Sequence, residues 1–223
     1  MKYNNVFSGE FISRPNRFIA YVKINGKEEI CHVKNTGRCK ELLIPGVKVI
    51  VEKSNNSDRK TAYDVIAVYK GDKIINIDSS APNKVVYEFL KNKSEITFIK
   101  PEAKYENSRF DFYVETKNKK IFIETKGVTL EEKGVFMFPD APTERGVKHL
   151  KELVKCKHEG YEAVVVFIIQ ANYANYFTPN KKTHKEFADM LKEAKEKGVK
   201  ILCFNCSVEE DFIEINKKTD CLI

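Results

Sequence analysis

Three charged side chains have the types and spacing of a metal-dependent hydrolytic site. Asp111 lies in the segment Arg109–Glu115, and Glu124 and Lys126 form a Glu-x-Lys element in the next segment, Lys120–Lys126. Both segments are rich in aromatic and β-branched residues, which predicts two neighbouring strands. Two carboxylates hold Mg²⁺ beside a phosphodiester, and an adjacent lysine orients water or stabilises developing negative charge. If the three side chains converge, the sequence indicates a protein that cuts, or once cut, nucleic acid.

The pairing of these two strands decides whether the three side chains meet. Side chains alternate along a strand, so Glu124 and Lys126 share one face. A hairpin that turns near Asn118 pairs residues whose numbers sum to roughly 235, which places Asp111 opposite Glu124. The alternative is an exposed cluster of cross-strand charges on the solvent face of a hairpin. Glu-x-Lys alone does not decide between the two.

The elements around this hairpin predict a mixed α/β sheet with helices on its faces. Asn83 is an N-cap candidate, and the apolar spacing after it predicts a helix to about Asn92. Gly160 and Gly198 end two further helices. The continuous apolar run Ala163–Ile169 is typical of a strand buried on both faces. The expected elements are strands at Thr97–Ile99, Arg109–Glu115, Lys120–Lys126, Ala163–Ile169 and Lys200–Cys206, and helices at Thr143–Glu159 and Thr183–Lys197.

The region before residue 80 has a different organisation. Short β-rich runs alternate with turns such as Asn25-Gly26 and Gly71-Asp72, which are hairpin signals. About five short strands without a long helix predict a small closed barrel of the OB type. One short helix is expected at Arg38–Leu43. The expected domains are an OB-like barrel at 1–80 and an α/β domain at 81–223, joined by a linker at 79–82. The expected barrel strands are Phe18–Ile24, Glu29–Val33, Val47–Glu52, Thr61–Tyr69 and Ile74–Asp78.

Composition favours a cytoplasmic protein with a polyanionic partner. The chain has 223 residues and a net charge of +7, and residues 1–80 contain 14 Lys+Arg against 9 Asp+Glu. This excess favours nucleic acid, although a generally lysine-rich composition gives the same net charge. The expected absence of a membrane span follows from the lack of any long apolar run. Six cysteines in a chain of this length are expected to be free thiols, and Cys203-x-x-Cys206 lacks a second pair for zinc.

Basic residues interleaved with aromatic ones suggest a nucleic-acid surface on the barrel. Phe18 and Tyr21 are the aromatic members of this group. The alternative is a set of solvated cations beside core aromatics. In the second region Arg145, at the start of a helix capped by Thr143, is a further phosphate-binding candidate. The basic candidates are Arg14, Arg17, Lys34, Arg38 and Arg145.

The chain resembles two known groups of proteins. The hairpin site and the order helix, three strands, helix, strand resemble the PD-(D/E)XK nuclease superfamily. The whole chain is similar to the sugar fermentation stimulation protein (SfsA) family. The matching stretches are Ser13–Phe18, His32–Arg38, Glu41–Gly46, Arg109–Phe112, Glu124–Leu130, Phe138–Gly146 and Lys148–Leu150.

The resemblance implies an OB-like domain, a nuclease-like domain, DNA binding and a set of metal residues. By the superfamily pattern Asp111, Glu124 and Lys126 are the catalytic residues, and Glu88 joins the two carboxylates as a metal ligand. The alternative for Glu88 is an ordinary glutamate on a helix surface. Gln170 is either close to the site or a polar strand end. The family's usual glutamate before Glu88 is replaced by Tyr87, and the loop after Asn180 also departs from the family pattern.

The expected function is therefore DNA binding, largely independent of sequence, with Mg²⁺- or Mn²⁺-dependent hydrolysis of phosphodiester bonds. The expected partner is double-stranded DNA, and a homodimer is compatible with the sequence. The alternative is a DNA-binding regulator of sugar (maltose) metabolism genes that does not cut. The retained Asp, Glu and Lys favour the enzyme, and the lack of an evident recognition helix argues against sequence-specific regulation.

Overall fold

The computed structural model describes residues 1–35, 37–56, 58–106 and 108–223. The strands of the first region are β1 Val6–Asn16, β2 Ile19–Ile24, β3 Lys27–Val33, β4 Lys48–Lys53, β5 Tyr63–Lys70 and β6 Lys73–Asn76. The second region begins with α1 Ala81–Lys91, β7 Ile96–Tyr105, β8 Ser108–Thr116, β9 Lys120–Val128, β10 Leu130–Glu132 and β11 Val135–Phe138. It continues with α2 Glu144–His158, β12 Glu162–Ile169, β13 Tyr176–Pro179, α3 Lys185–Glu196, β14 Lys200–Val208 and β15 Ile213–Lys218.

The first region is a closed five-stranded barrel, as the sequence predicts. The strands follow the order β3-β2-β1-β4-β5, and a parallel pairing of β3 with β5 closes the ring. β6, at the place of the expected barrel strand Ile74–Asp78, is not one of these five and extends β5 as an added antiparallel strand. Inward side chains such as Val22, Val49 and Val65 are fully buried in the barrel interior. The OB-like architecture predicted from the short strands is confirmed.

Two local features of the barrel differ from the sequence-based prediction. β1 was not expected, because Gly9, Pro15 and several polar residues interrupt its alternation, and register shifts after Phe11 and Ser13 add irregularity. The expected helix at Arg38–Leu43 is only a turn, in which Leu42 and Leu43 both donate backbone hydrogen bonds to the carbonyl of Cys39. Pro45 follows closely and lacks the N–H that a longer helix would need.

The second region is a mixed six-stranded sheet in the order β15-β14-β12-β9-β8-β7, with helices on both faces. β12 lies parallel to both β9 and β14, and its whole apolar run is buried, as predicted. Phe110 and Phe167 face α2 and α3 in one apolar cluster. Phe112 and Val166 face α1 in the other. The helices therefore cover the two surfaces from which the β8 and β9 side chains project.

Several boundaries and strands in this region differ from the prediction. α1 begins at Ala81, before Asn83, with Ser80 at its N-cap, so the expected linker at 79–82 leads directly into the helix. α3 begins at Lys185 after an N-cap at His184, two residues later than expected. The stretch before α2, for which the sequence predicts no strand, contains β11, which joins β10 and β13 in a small separate sheet. None of the helices in the described residues is long and apolar enough to cross a membrane.

The barrel and the α/β region contact each other through buried polar side chains. The Gln170 amide donates to Asn76 Oδ1 at 2.8 Å and to the carbonyl of Asp78 at 3.0 Å. The Asn76 amide in turn donates to the Tyr3 hydroxyl at 2.8 Å. Because an unpaired buried amide is costly, this network fixes how the barrel meets the end of β12. Gln170 therefore serves the contact between the regions, which agrees with the strand-end alternative.

Candidate active site

The hairpin of β8 and β9 has the register predicted from the sequence. Phe112 pairs with Ile123 and Tyr113 with Phe122, and both pairs sum to 235. Beyond these pairs the Thr125 backbone N–H donates to Asp111 Oδ2 at 2.7 Å. The Asp111 carboxylate is thus held across the strand that bears Glu124 and Lys126. The structure brings together the three side chains singled out in the sequence.

Glu124 is the buried centre of this group. It is 3% exposed, and its Oε1 lies 2.5 Å from both Lys126 Nζ and His149 Nδ1. Its Oε2 is also buried and has no hydrogen-bond partner among the described residues. The Lys126 side chain is 17% exposed, so its ammonium group still reaches the surface. The alternative of a solvent-exposed charge cluster is wrong for this hairpin, because Glu124 faces the core under α2.

The two carboxylates have opposite pKa shifts. Burial raises the pKa of Glu124, but the hydrogen bond from His149 and the charge of Lys126 outweigh it, so the net shift is downward. The pKa of Asp111 is raised, first by burial and then by the negative charge of Glu124. The group therefore holds one firmly ionised carboxylate beside a second that ionises at a cost. A cation placed between two such carboxylates relieves that cost.

His149 is a site residue that the sequence reasoning missed. It lies in α2, whose start is fixed by the Thr143 hydroxyl accepting from the Gly146 N–H at 3.1 Å. Arg145 Nε donates to His149 Nε2 at 3.4 Å, so the histidine proton lies on Nδ1 and points at Glu124. Arg145 and His149 are four residues apart and share one helix face. In the sequence, the available signal for His149 was its spacing of four residues from Arg145, just after the N-cap Thr143.

Asn83 takes the place beside Asp111 that the resemblance assigned to Glu88. The Asn83 amide donates to Asp111 Oδ1 at 2.8 Å. Glu88 is 52% exposed and forms an ion pair with the Met1 ammonium group at 2.5 Å. Glu88 lies five positions after Asn83, so the two side chains point to different sides of α1. The structure therefore does not bring Glu88 to Asp111 and Glu124, and its exposed position agrees with the helix-surface alternative.

Two of the basic barrel residues are committed to internal contacts. The Arg14 guanidinium donates to four backbone carbonyls, at distances of 2.7–3.1 Å, and so shapes the loop after β3. Lys34 Nζ lies 3.4–3.6 Å from three carboxylates. These two cations are not free to receive a phosphate. Arg17, Arg38 and Arg145 are exposed and keep their charged groups accessible.

Two other groups of candidate ligands do not form a metal site. The side chains of Glu144, His184 and Glu186 come within 4.8 Å of one another. However, the Thr143 N–H donates to His184 Nδ1 at 3.3 Å, so the proton of the neutral ring lies on Nε2, the nitrogen nearer Glu144. The cysteines are all free thiols, and Cys203 and Cys206 lie in different apolar clusters. The side chains of Cys203 and Cys206 therefore do not converge on one point.

Comparisons with known proteins identify the family. Residues 80–212 match the family described as "Sugar fermentation stimulation protein RE domain", and residues 12–77 match "SfsA N-terminal OB domain". A sugar fermentation stimulation protein homolog of Clostridium beijerinckii is 60% identical over 226 residues and covers 100% of both chains. The homolog of Ruminiclostridium cellulolyticum is 60% identical over 223 residues and covers 99% of both chains.

A solved structure extends this likeness to the whole fold. The structure of Pyrococcus furiosus SfsA in complex with Ca²⁺ superposes with a TM-score of 0.89 at 32% sequence identity. The superposition covers 100% of this chain and 98% of the Pyrococcus furiosus chain. The likeness therefore includes the barrel, the α/β region and their arrangement. The chain belongs to the sugar fermentation stimulation protein (SfsA) family.

Proposed function

We propose that this protein is a divalent-metal-dependent nuclease that binds DNA and hydrolyses its phosphodiester bonds, with a PD-(D/E)XK-type site in its α/β region. The observation that supports the proposal most is that the Glu124 carboxylate is both buried and held in its ionised form. A buried carboxylate that His149 and Lys126 keep ionised, with one oxygen unpartnered, costs free energy unless it binds something. Such groups concentrate at functional sites.

The donor set fits a hard divalent cation such as Mg²⁺ or Mn²⁺. Asp111 and Glu124 supply carboxylate oxygens, and the unpartnered Oε2 of Glu124 is the atom best placed as a ligand. The raised pKa of Asp111 also favours a cation site, because a bound cation relieves the repulsion between Asp111 and Glu124. The relative from Pyrococcus furiosus is described in complex with Ca²⁺, which prefers the same oxygen ligands. When bound, the ion supplies positive charge against the phosphate and a more acidic water.

The chain's own residues then have distinct tasks. Lys126 presents an ammonium group at the surface beside Glu124, where it orients a water molecule or stabilises charge on the phosphate oxygens. His149 holds Glu124 in its ionised form and fixed orientation, and Arg145 sets the tautomer of His149. Asn83 and the Thr125 N–H hold the two oxygens of Asp111. These contacts position the reactive groups before a substrate arrives.

The proposal is tested by digestion of plasmid and oligonucleotide DNA with Mg²⁺ or Mn²⁺. We expect the wild type to cut and the Asp111→Ala and Lys126→Ala variants to lose at least about 100-fold in rate. Lys119→Ala, an exposed lysine in the turn of the same hairpin, serves as the matched control and retains full rate. Equal cutting by all four proteins overturns the assignment. Retention of DNA without cutting supports the alternative, a DNA-binding regulator of sugar (maltose) metabolism genes.

A further inference from the structure

Two neighbouring grooves cross from the barrel to the α/β region and share Arg38 and Lys40 in their walls. The first groove lies on the barrel and also includes Arg17 and Asn16. The second is completed by the loop after β13, with Lys181 and Lys182. We name the combined surface the junction groove. Besides Arg14, whose guanidinium is bound by backbone carbonyls, five cations line it: Arg17, Arg38, Lys40, Lys181 and Lys182.

The cations of the junction groove are available to a ligand. All five are exposed, and within the described residues none of them is in an ion pair. No carboxylate lines the first groove among the described residues. The acidic residues of the second groove are Glu41, Glu132 and Asp140, and Asp140 is occupied by the backbone N–H of Arg38 at 2.9 Å. The surface therefore has an excess of free positive charge, which suits a polyanion.

One short segment holds both halves of the junction groove in place. Asp140 binds the barrel loop through the Arg38 N–H. The neighbouring Pro139 carbonyl accepts from the Asn180 amide at 3.1 Å, which fixes the loop that bears Lys181 and Lys182. The same segment leads through Ala141, which lines the first groove, to α2. α2, which carries Arg145 and His149, therefore follows directly in the chain from the segment that holds the two grooves.

An aromatic ring lies at the barrel end of this groove. Phe18 is 51% exposed, and the Arg17 guanidinium lies 5.9 Å from its ring centroid. The turn that presents it is held by Asn16 Oδ1, which accepts from the backbone N–H groups of Phe18 and Ile19 at 2.8 and 3.1 Å. A second tie runs from the Val33 N–H to the Phe18 carbonyl. A fixed, exposed aromatic ring beside a cation is a platform for an unpaired base.

We propose that the junction groove binds the sugar–phosphate backbone of a single-stranded DNA segment, with an unpaired base stacked on Phe18. This inference rests on the proposed function for its ligand, DNA, and makes the substrate narrower than the double-stranded DNA expected from the sequence. Base-paired DNA keeps its bases in the helix and offers no free face to Phe18 at this position.

The test of the proposal measures binding by fluorescence anisotropy with EDTA present, so that no cutting occurs. The probes are a single-stranded 20-mer, a blunt duplex of the same sequence, and that duplex with a single-stranded tail. We expect the single strand and the tailed duplex to bind at least about 10-fold tighter than the blunt duplex. Equal or tighter binding of the blunt duplex overturns the proposal.

Two matched pairs of variants test the two components of the groove. Phe18→Ala is expected to weaken single-strand binding about 5- to 150-fold, the range for one stacked base, and to leave blunt-duplex binding unchanged. Phe98→Ala, which removes a ring of 49% exposure in β7, is the control and binds normally. The double variant Lys181→Gln/Lys182→Gln is expected to reduce the slope of log K against log salt concentration by about 1.4 for single-strand binding. The control double variant Lys117→Gln/Lys119→Gln is expected to leave this slope unchanged. Equal behaviour within either pair overturns the proposal.

A further measurement separates this proposal from the nuclease assignment. Hydrolysis of bis(p-nitrophenyl) phosphate with Mn²⁺ reports on Asp111 and Lys126 without needing a DNA groove. We expect the Phe18 and Lys181/Lys182 variants to hydrolyse this small diester at the wild-type rate, and a loss of rate in these variants counts against a role confined to binding. Single-strand binding in a protein that hydrolyses nothing supports the junction groove and removes only the nuclease assignment.

Discussion

His149 Nδ1 lies 2.5 Å from Glu124 Oε1, in a contact where both side chains are at most 5% exposed. The contact joins α2 to β9 across 25 residues of sequence. It gives a buried carboxylate a directed hydrogen bond that offsets the cost of its burial. The ionisation and orientation of the proposed metal ligand therefore depend on a helix that supplies no ligand itself.

Replacement of His149 is expected to weaken metal binding more than it weakens the fold. His149→Ala should raise the Kd for Mn²⁺ about 10- to 100-fold, the usual effect of losing a residue that orients a metal ligand. His149→Asn should recover part of this affinity, because its amide N–H is placed like Nδ1–H. The measurement is calorimetric titration of the metal-free protein. Equal affinity in the Ala variant, the Asn variant and the wild type would show that His149 only packs the core.

Removal of the Asp111 charge is expected to stabilise the metal-free protein. The pKa of Asp111 is raised above its ordinary value of 3.8 by burial and by Glu124, so its ionised form is less favourable in the folded chain than in the unfolded one. Neutral Asp111 thus stabilises the fold fully below pH 3.8, and this stabilisation is lost as pH rises through the folded pKa. Asp111→Asn stays neutral, and the Asn83 amide can rotate to keep its hydrogen bond.

The measurement is thermal unfolding in EDTA at pH 7 and at pH values below 4. Asp111→Asn should have the higher Tm at pH 7, and the difference should disappear at the lower pH. Addition of Mn²⁺ should raise the Tm of the wild type but not that of the variant, since ligand binding stabilises only a protein that binds it. A lower Tm for Asp111→Asn at pH 7 would contradict the predicted repulsion from Glu124.

Gly127 is expected to tolerate no side chain, although it lies in a strand. A Cβ atom there would lie 2.6 Å from Gln170 Oε1 and 2.8 Å from Pro82 Cγ, closer than van der Waals contact permits. Gly127→Ala should therefore destabilise the fold by about 1–3 kcal/mol and disturb the neighbouring Lys126. Urea unfolding measures the loss. Combination with Gln170→Ser should give less than the sum of the two single losses, because the first clash is relieved. Strictly additive losses of unfolding free energy would show that the clash with Gln170 is not the cause of the destabilisation.

The parts of the site that the sequence could predict are those set by strand geometry. Alternation and hairpin register depend only on neighbouring segments, so Asp111, Glu124 and Lys126 could be grouped without a structure. The role of His149 depends on how α2 packs on the sheet, and the local pattern gives only its spacing from Arg145. Asn83 was expected to cap α1, and its contact with Asp111 became available because the helix begins earlier, at Ala81.

For the basic residues of the barrel too, the sequence alone could not predict their roles. Composition and spacing identify cations but not the groups that they contact. The expected nucleic-acid residues Arg14 and Lys34 prove to be occupied by carbonyls and carboxylates from distant parts of the chain. Lys181 and Lys182, which have no neighbouring aromatic residues in the sequence, come to lie beside Arg38 only through the fold. Long-range packing therefore decides which of these charges remain free.

Arg14 and Arg17 form a matched pair that tests this division of roles. Arg14 donates four hydrogen bonds to carbonyls, including those of Asn35 and Arg38, whereas Arg17 is exposed. A lysine ammonium cannot reproduce the planar fork of the guanidinium. Arg14→Lys should therefore cost roughly 2–3 kcal/mol of unfolding free energy, at about 1 kcal/mol for each lost hydrogen bond. Arg17→Lys should stay within about 0.5 kcal/mol of the wild type.

Thermal unfolding measures the difference between the two variants. For a chain of this size the Arg14→Lys loss corresponds to a fall in Tm of about 4–12 °C. The loop after β3 carries Arg38, so Arg14→Lys should also weaken DNA binding indirectly, and this weakening should grow as the temperature approaches its Tm. Arg17→Ala should weaken DNA binding with no change in Tm. A normal Tm together with weak DNA binding in Arg14→Lys would instead make Arg14 a direct phosphate ligand.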